Sequence, residues 1–182
     1  MKTILSILLL SFVTTYAFAQ LTKVPVQNIP ADYGYLVKQG DKMPEIEFTL
    51  TDGKTVKTND LKGKVVMLQF TASWCSVCRK EMPHIENEIW QKHKNNKNFA
   101  LFGIDMDEPL EKVKKFATDM KITYPLALDP AAKIFYTVAA KGAGVTRNII
   151  IDKNGKIAYM TRLYKEDEFN EMKEVIELLL KE

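Results

Sequence analysis

The sequence predicts an α/β domain: a central mixed β-sheet with helices on both faces and an N-terminal β-hairpin extension. Three observations carry that expectation. Val65 to Phe70, Phe99 to Ile104 and Asn148 to Ile151 are short, nearly continuous apolar runs, as strands covered on both faces require. Between them lie segments whose apolar residues recur at helical spacing. Asp152-Lys153-Asn154-Gly155 then supplies the turn of a closing hairpin.

The elements follow in order. Residues 1–19 have the plan of a secretory signal peptide: Lys2 as positive start, a mostly apolar Ile4 to Phe12, and Ala17-Phe18-Ala19 as a small-x-small site. A membrane anchor fits less well, because the apolar stretch is short against the ~20 residues of a span and carries Ser6, Ser11, Thr14 and Thr15. Cleavage after Ala19 would leave a periplasmic or secreted chain that does not span a membrane. Residues 20–39, with Pro25, Pro30, Gly34, Tyr33 and Tyr35 and no clear period, predict an irregular arm ahead of a domain over 40–182.

Ile46 to Leu50 alternates as a half-buried strand does, and Thr51-Asp52-Gly53-Lys54 makes its turn. After the Val65 strand a helix should begin near Cys75 or Ser76 and run to about Lys94, with Met82, Ile85, Ile89 and Trp90 on one stripe and a kink at Pro83. Pro109 opens an amphipathic helix through Met120. Asp129-Pro130 caps a shorter one through about Val138. After the closing hairpin, Glu166 starts the last helix, on the stripe Phe169, Met172, Val175, Ile176 and Leu179.

Composition narrows the function. Apolar residues make up 46% of the 182 residues and charged residues 27%, a globular balance with no disorder signature. The formal charge of +3 comes with no basic run, which argues against nucleic acid. There are two cysteines, Cys75 and Cys78, in a chain read as exported. A domain of this size gains little from closing so small a loop, so a reactive pair explains them better than a structural staple.

The pair falls where a buried strand gives way to a helix, in Phe70-Thr71-Ala72-Ser73-Trp74-Cys75-Ser76-Val77-Cys78-Arg79. A cysteine at a helix N-terminus faces unpaired backbone N–H groups and the positive end of the dipole, so its thiolate is stabilised. Such thiols have pKa values of about 3.5–7.5 in place of ~8.5. Cys75 is therefore the expected nucleophile and Cys78 the resolving thiol. Trp74 offers the pair an apolar shield and platform, or serves as plain packing. A zinc site from the two cysteines with His84 and His93 is the rival reading. It is disfavoured by histidines nine residues apart on one helix, and no metal is expected.

These residues resemble the thioredoxin superfamily and, within it, the TlpA/ResA-like envelope oxidoreductases. The resemblance runs from Gly40 to Leu180. It includes Gly40-Asp41-Lys42-Met43-Pro44 as an opening motif, Trp74-Cys75-x-x-Cys78 as the redox centre, Pro83 in its helix and Ile150 to Ile157 as the closing hairpin. It implies a thioredoxin-like fold and a thiol–disulfide oxidoreductase without a cofactor. Its partners would be protein thiols and disulfides, and its electrons would come from a membrane donor. Ser76-Val77 lacks the histidine of the superfamily's strong oxidants, which favours a reductant. Gln69 stands where thioredoxin carries a buried acid, and Glu108 matches by position the glutamate that ResA-like proteins place near their cysteines. Glu108 is thus expected to perturb the cysteine pKa values and help move the proton, or else to be a first-turn acid that a helix dipole favours.

The resemblance breaks at Val145-Thr146-Arg147, where the family has Val-Pro-Thr with a cis-proline. A cis bond before a non-proline residue costs ~2.5–4 kcal/mol. Thr146 follows either a trans bond in a reshaped loop or a strained cis bond. In the family this loop presents backbone groups to the substrate, a role that would fall to Val145 and its neighbours here. Arg147 is expected either in solvent or as a charge beside the thiolate. Two other functions stay open: a thiol peroxidase, suggested by Thr71 and Arg147 but opposed by Ala72 three residues before Cys75, and a non-catalytic sensing or binding module.

Overall fold

The computed structural model describes residues 21–182, so the signal peptide expected over residues 1–19 lies outside the described residues. The fold is thioredoxin-like. Seven strands form one sheet in the order β2-β1-β5-β4-β3-β6-β7. They are β1 (Glu47–Leu50), β2 (Thr55–Lys57), β3 (Val65–Thr71), β4 (Phe99–Met106), β5 (Leu126–Asp129), β6 (Arg147–Ile151) and β7 (Ile157–Arg162). β3 runs parallel to β4, and β4 to β5, whereas β6 pairs antiparallel with both β3 and β7. β1 and β2 are the expected hairpin.

The central strand β3 is buried along its whole length. Alternate residues feed two cores, as strand geometry requires. Val66, Leu68 and Phe70 face one that includes Cys75, Cys78 and Phe135, whereas Val65 and Met67 face the other. The second core takes the stripes of three helices: α1 (Ser76–His84), α3 (Leu110–Met120) and α5 (Glu166–Lys181). The short α4 (Phe135–Val138) covers the first.

The helix that starts at Ser76 does run nearly to Lys94, but in three parts. α1 ends at His84 just after Pro83, a π-helical stretch follows over Ile85–Trp90, and α2 (Gln91–His93) completes it. A proline removes one backbone donor and crowds the preceding turn, and a widened turn accommodates this. Within that stretch Glu86 accepts hydrogen bonds from the Thr123 backbone N–H and hydroxyl, both at 2.7 Å. The strand β5 is an addition to the sequence reading. It joins β4 to β1 and is only four residues long between Pro125 and Pro130. The capping role expected of Asp129 is present at longer range: its carboxylate accepts the Ile134 and Phe135 N–H groups at 2.8 Å.

The N-terminal arm, irregular apart from a single turn over Ala31–Tyr33, lies along β7. Gln27 meets Met160 twice, donating to its carbonyl and accepting from its N–H, each at 2.8 Å. Gln39 donates to the Ala158 carbonyl at 2.8 Å and to the Pro25 carbonyl at 2.7 Å, and accepts from the Gln27 N–H. No helix among the described residues is long and apolar enough to cross a membrane.

Candidate active site

β3 delivers the chain through Ala72–Trp74 to the first turn of α1. Cys75 is the N-cap residue, in extended backbone, and its Sγ accepts the Cys78 backbone N–H at 3.1 Å. The two cysteines form a disulfide with their Cα atoms 5.3 Å apart. Cys75 is 8% exposed and Cys78 fully buried, so an incoming group reaches Cys75 first. Trp74 is 63% exposed and stands in solvent beside the pair without closing over it. That leaves it as an open apolar platform.

No peptide bond among the described residues is cis, so Thr146 follows a trans bond. Its side chain is 2% exposed, and its Oγ1 lies 3.1 Å from Cys75 Sγ and 3.3 Å from Cys78 Sγ. Its carbonyl accepts the Leu163 N–H at 3.1 Å. Val145, beside it, is buried.

Arg147 corrects both expectations held for it. It is neither solvated nor paired with a sulfur. It is fully buried, with its guanidinium 4.4 Å from the Tyr35 ring centroid and 5.3 Å from that of Phe135. Its Nη2 donates to the Tyr33 carbonyl at 3.0 Å and the Gly144 carbonyl at 2.9 Å, while Nη1 has no hydrogen-bond partner. The cause is register: as the first residue of β6, opposite Phe70, Arg147 falls among the aromatic rings on that side of the sheet. Burial holds its pKa below the ordinary arginine value.

Glu108 reaches the site through the loop. Its Oε2 accepts the Ser73 backbone N–H at 2.6 Å, its Oε1 the Ser73 hydroxyl at 2.7 Å, and Lys112 pairs with it at 2.5 Å. Burial disfavours its charge, but Lys112 and the two Ser73 donors prevail and hold its pKa below the usual carboxylate range. Glu108 is thus an ionised anchor for the turn that carries Trp74. Asp105, at the end of β4, is fully buried, and burial with the nearby Glu108 charge pushes it up to about 8.

The carboxylate that the sequence reading missed is Glu81, one helical turn beyond Cys78 on the same face of α1. It accepts the Asn148 Nδ2 at 2.7 Å and the Gln69 Nε2 at 3.5 Å, and Tyr124 donates to Gln69 Oε1 at 2.7 Å. Burial raises its pKa to about 7 despite these hydrogen bonds. The signal was present as the i, i+3 spacing from Cys78, on a stripe continuing to Met82 and Ile85. Gln69 is no proton acceptor itself, but it helps hold one.

Residues behind the rival readings have other partners. His84 bonds Glu88 at 2.9 Å, and His93 meets Glu177 at 3.0 Å. Thr71 donates to the Met82 sulfur at 3.5 Å, so the hydroxyl at the redox pair belongs to Thr146.

A family model described as Redoxin matches residues 38–176. Among curated proteins, the chain is 36% identical over 118 residues to the thiol-disulfide oxidoreductase ResA of Bacillus cereus, covering 65% of this chain and 66% of that protein. The chain thus spans slightly less than two thirds of that relative's length. Among solved structures, it resembles a candidate protein disulfide isomerase from Bacteroides thetaiotaomicron at 59% identity and TM-score 0.80, covering 82% of this chain and 94% of that one. It also resembles a candidate thiol:disulfide interchange protein DsbE from Chlorobium tepidum, at 27% identity and TM-score 0.66, covering 79% and 99%.

Proposed function

The chain belongs to the Redoxin family, and we propose that it is a thiol–disulfide oxidoreductase that reduces disulfides in exported proteins through Cys75 and Cys78. The observation that carries this reading is the disulfide at the N-cap of α1, with Cys75 slightly exposed and Cys78 fully buried. In the reduced protein the Cys75 thiolate, held by the Cys78 N–H and the helix N-terminus, attacks one sulfur of a substrate disulfide. The substrate S–S bond breaks, and its electron pair leaves on the other substrate sulfur, which takes a proton from solvent. Cys78 gives its proton to Glu81 and attacks Cys75 Sγ, so that the mixed disulfide breaks, and the second substrate thiolate departs as Glu81 gives that proton back to it. Two electrons and two protons have then passed to the substrate, the second proton by way of Glu81.

Glu81 suits this step better than Glu108, because burial raises its pKa to about 7, where it can take up and return a proton near neutrality, and it lies one turn from Cys78, whereas Glu108 is committed to Ser73 and Lys112. Trp74 provides the exposed apolar surface for the substrate, and the Val145–Thr146 loop borders the sulfurs on the other side. Export is supported by the leader-like residues 1–19 and by the restriction of cysteine to the redox pair. Reduction outside the cytoplasm needs an electron supply, which we assign to a membrane donor.

The test is equilibration with a thiol buffer. A reversible two-electron couple near about −270 mV, thioredoxin's value, fits a reductase. A value near about −180 mV, that of protein disulfide isomerase, makes it an isomerase and reverses the direction. Absence of a reversible couple ends the oxidoreductase reading. Cys78→Ser should in addition accumulate a mixed disulfide on Cys75 that wild type resolves.

A further inference from the structure

We propose, building on the thiol–disulfide reading above, that the Thr146 hydroxyl is a catalytic hydrogen-bond donor to both redox sulfurs. A threonine hydroxyl carries one O–H donor that rotates to suit its acceptor. Here the sulfurs of Cys75 at 3.1 Å and Cys78 at 3.3 Å are its hydrogen-bond partners among the described residues. The side chain is almost wholly buried, so no water competes freely for the donor. A proline in this place has no donor to offer.

The loop is fixed from both sides. The Thr146 carbonyl is taken by the Leu163 N–H, and the Arg147 guanidinium holds the Gly144 carbonyl through both Nη2 at 2.9 Å and Nε at 3.2 Å. Arg147 is therefore a positioning residue: its buried side chain ties the loop to Tyr33 of the arm and leaves the Thr146 side chain facing the sulfurs.

A disulfide sulfur is a weak acceptor, and a thiolate a strong one. The hydroxyl therefore does little for the oxidised protein and much for the reduced one. It joins the Cys78 N–H in stabilising the Cys75 thiolate before attack. When Cys78 is deprotonated to resolve the mixed disulfide, the same donor turns to it. In the reverse direction, an incoming thiolate bonds to Cys75, the Cys75–Cys78 bond breaks, and its electron pair departs on Cys78 beside the hydroxyl. Stabilising the reduced form makes a couple more oxidising. Thr146 thus lowers the Cys75 pKa and makes the potential less negative than the fold alone would set it.

The test uses the full chain with Thr146→Val, which keeps the side-chain shape, Thr146→Ala, which adds no bulk, and Thr146→Ser, which keeps the hydroxyl. Thiolate absorbance against pH reads the Cys75 pKa, and equilibration with glutathione reads the couple. Thr146→Val and Thr146→Ala should each raise the Cys75 pKa by about one unit. They should also shift the equilibrium about tenfold towards the disulfide, about 30 mV more negative. Thr146→Ser should stay within about twofold of wild type. The proposal is overturned if Val and Ala match wild type in both measurements, or if Ser matches Val. A wild-type protein without a reversible couple would instead sink the thiol–disulfide reading, whatever the variants do.

Discussion

The Glu81 carboxylate lies 2.7 Å from the Asn148 side-chain amide, which joins α1 to the strand β6 inside the protein. Asn148 also donates to the Thr161 hydroxyl at 2.9 Å, so one amide links the helix beneath the redox pair to both strands of the closing hairpin. These contacts are neutral donors, and burial keeps Glu81 protonated up to about pH 7.

That raised pKa makes stability pH-dependent in a defined direction. The folded chain holds the Glu81 proton more tightly than the unfolded chain, whose carboxylate titrates near about 4.3. The stabilisation is complete below that value and is lost as pH rises through about 7. Urea unfolding at several pH values should show stability falling over this range, and Asp105, raised to about 8, extends the fall in the same direction. Glu81→Gln should flatten the Glu81 part, with a gain on the order of 3 kcal/mol at high pH. The same variant should slow resolution of the mixed disulfide by about 100-fold near neutrality, as loss of a general base does.

Arg147→Lys should not be conservative. A lysine has no planar fork to hold the Tyr33 and Gly144 carbonyls together, nor a flat face for Tyr35 and Phe135. The expected loss is about 2–4 kcal/mol, read by denaturant unfolding. Limited proteolysis should cut the arm near Tyr33 faster than in wild type.

Gln27→Ala should be visible at a single amide. The Met160 N–H donates to Gln27 Oε1 at 2.8 Å, so its hydrogen exchange should accelerate selectively while amides in the centre of β3 keep their protection. Global stability should fall by only about 1 kcal/mol.

Gly103→Ala tests the packing behind Gln69. A methyl on Gly103 would run into the Leu126 side chain and come within 3.3 Å of the Tyr124 ring and 3.5 Å of Gln69 Oε1. Overpacking of this kind costs about 1–3 kcal/mol. A thermal midpoint equal to wild type would show that Leu126 moves aside freely.

The sequence made much of the fold legible, because apolar runs such as Val65 to Phe70 and stripes such as Phe169 to Leu179 encode burial locally. β5 escaped because four residues between two prolines are too few to display a period. The redox pair was legible from its place between strand and helix, and Glu81 could have been read from its spacing to Cys78. The burial of Arg147 could not, since it depends on Tyr33 and Tyr35, more than a hundred positions earlier. Likewise, the arm's glutamines became meaningful only once β7 was placed beside them.

The glutamines of the arm have one more consequence. A strand at the margin of a sheet offers its unpaired backbone to any extended polypeptide, and this is how proteins recruit neighbours into aggregates. Here the backbone of Gly40 and Asp41 pairs with Ile157 at the start of that margin, and beyond it the Gln27 and Gln39 side-chain amides stand in for a missing strand. At the opposite margin β2 is three residues long and presents Thr55 and Lys57 to solvent, a poor template for growth. For a protein proposed to handle other polypeptides one thiol at a time, both margins of its sheet are thereby closed to them, and contact is left to the Trp74 face.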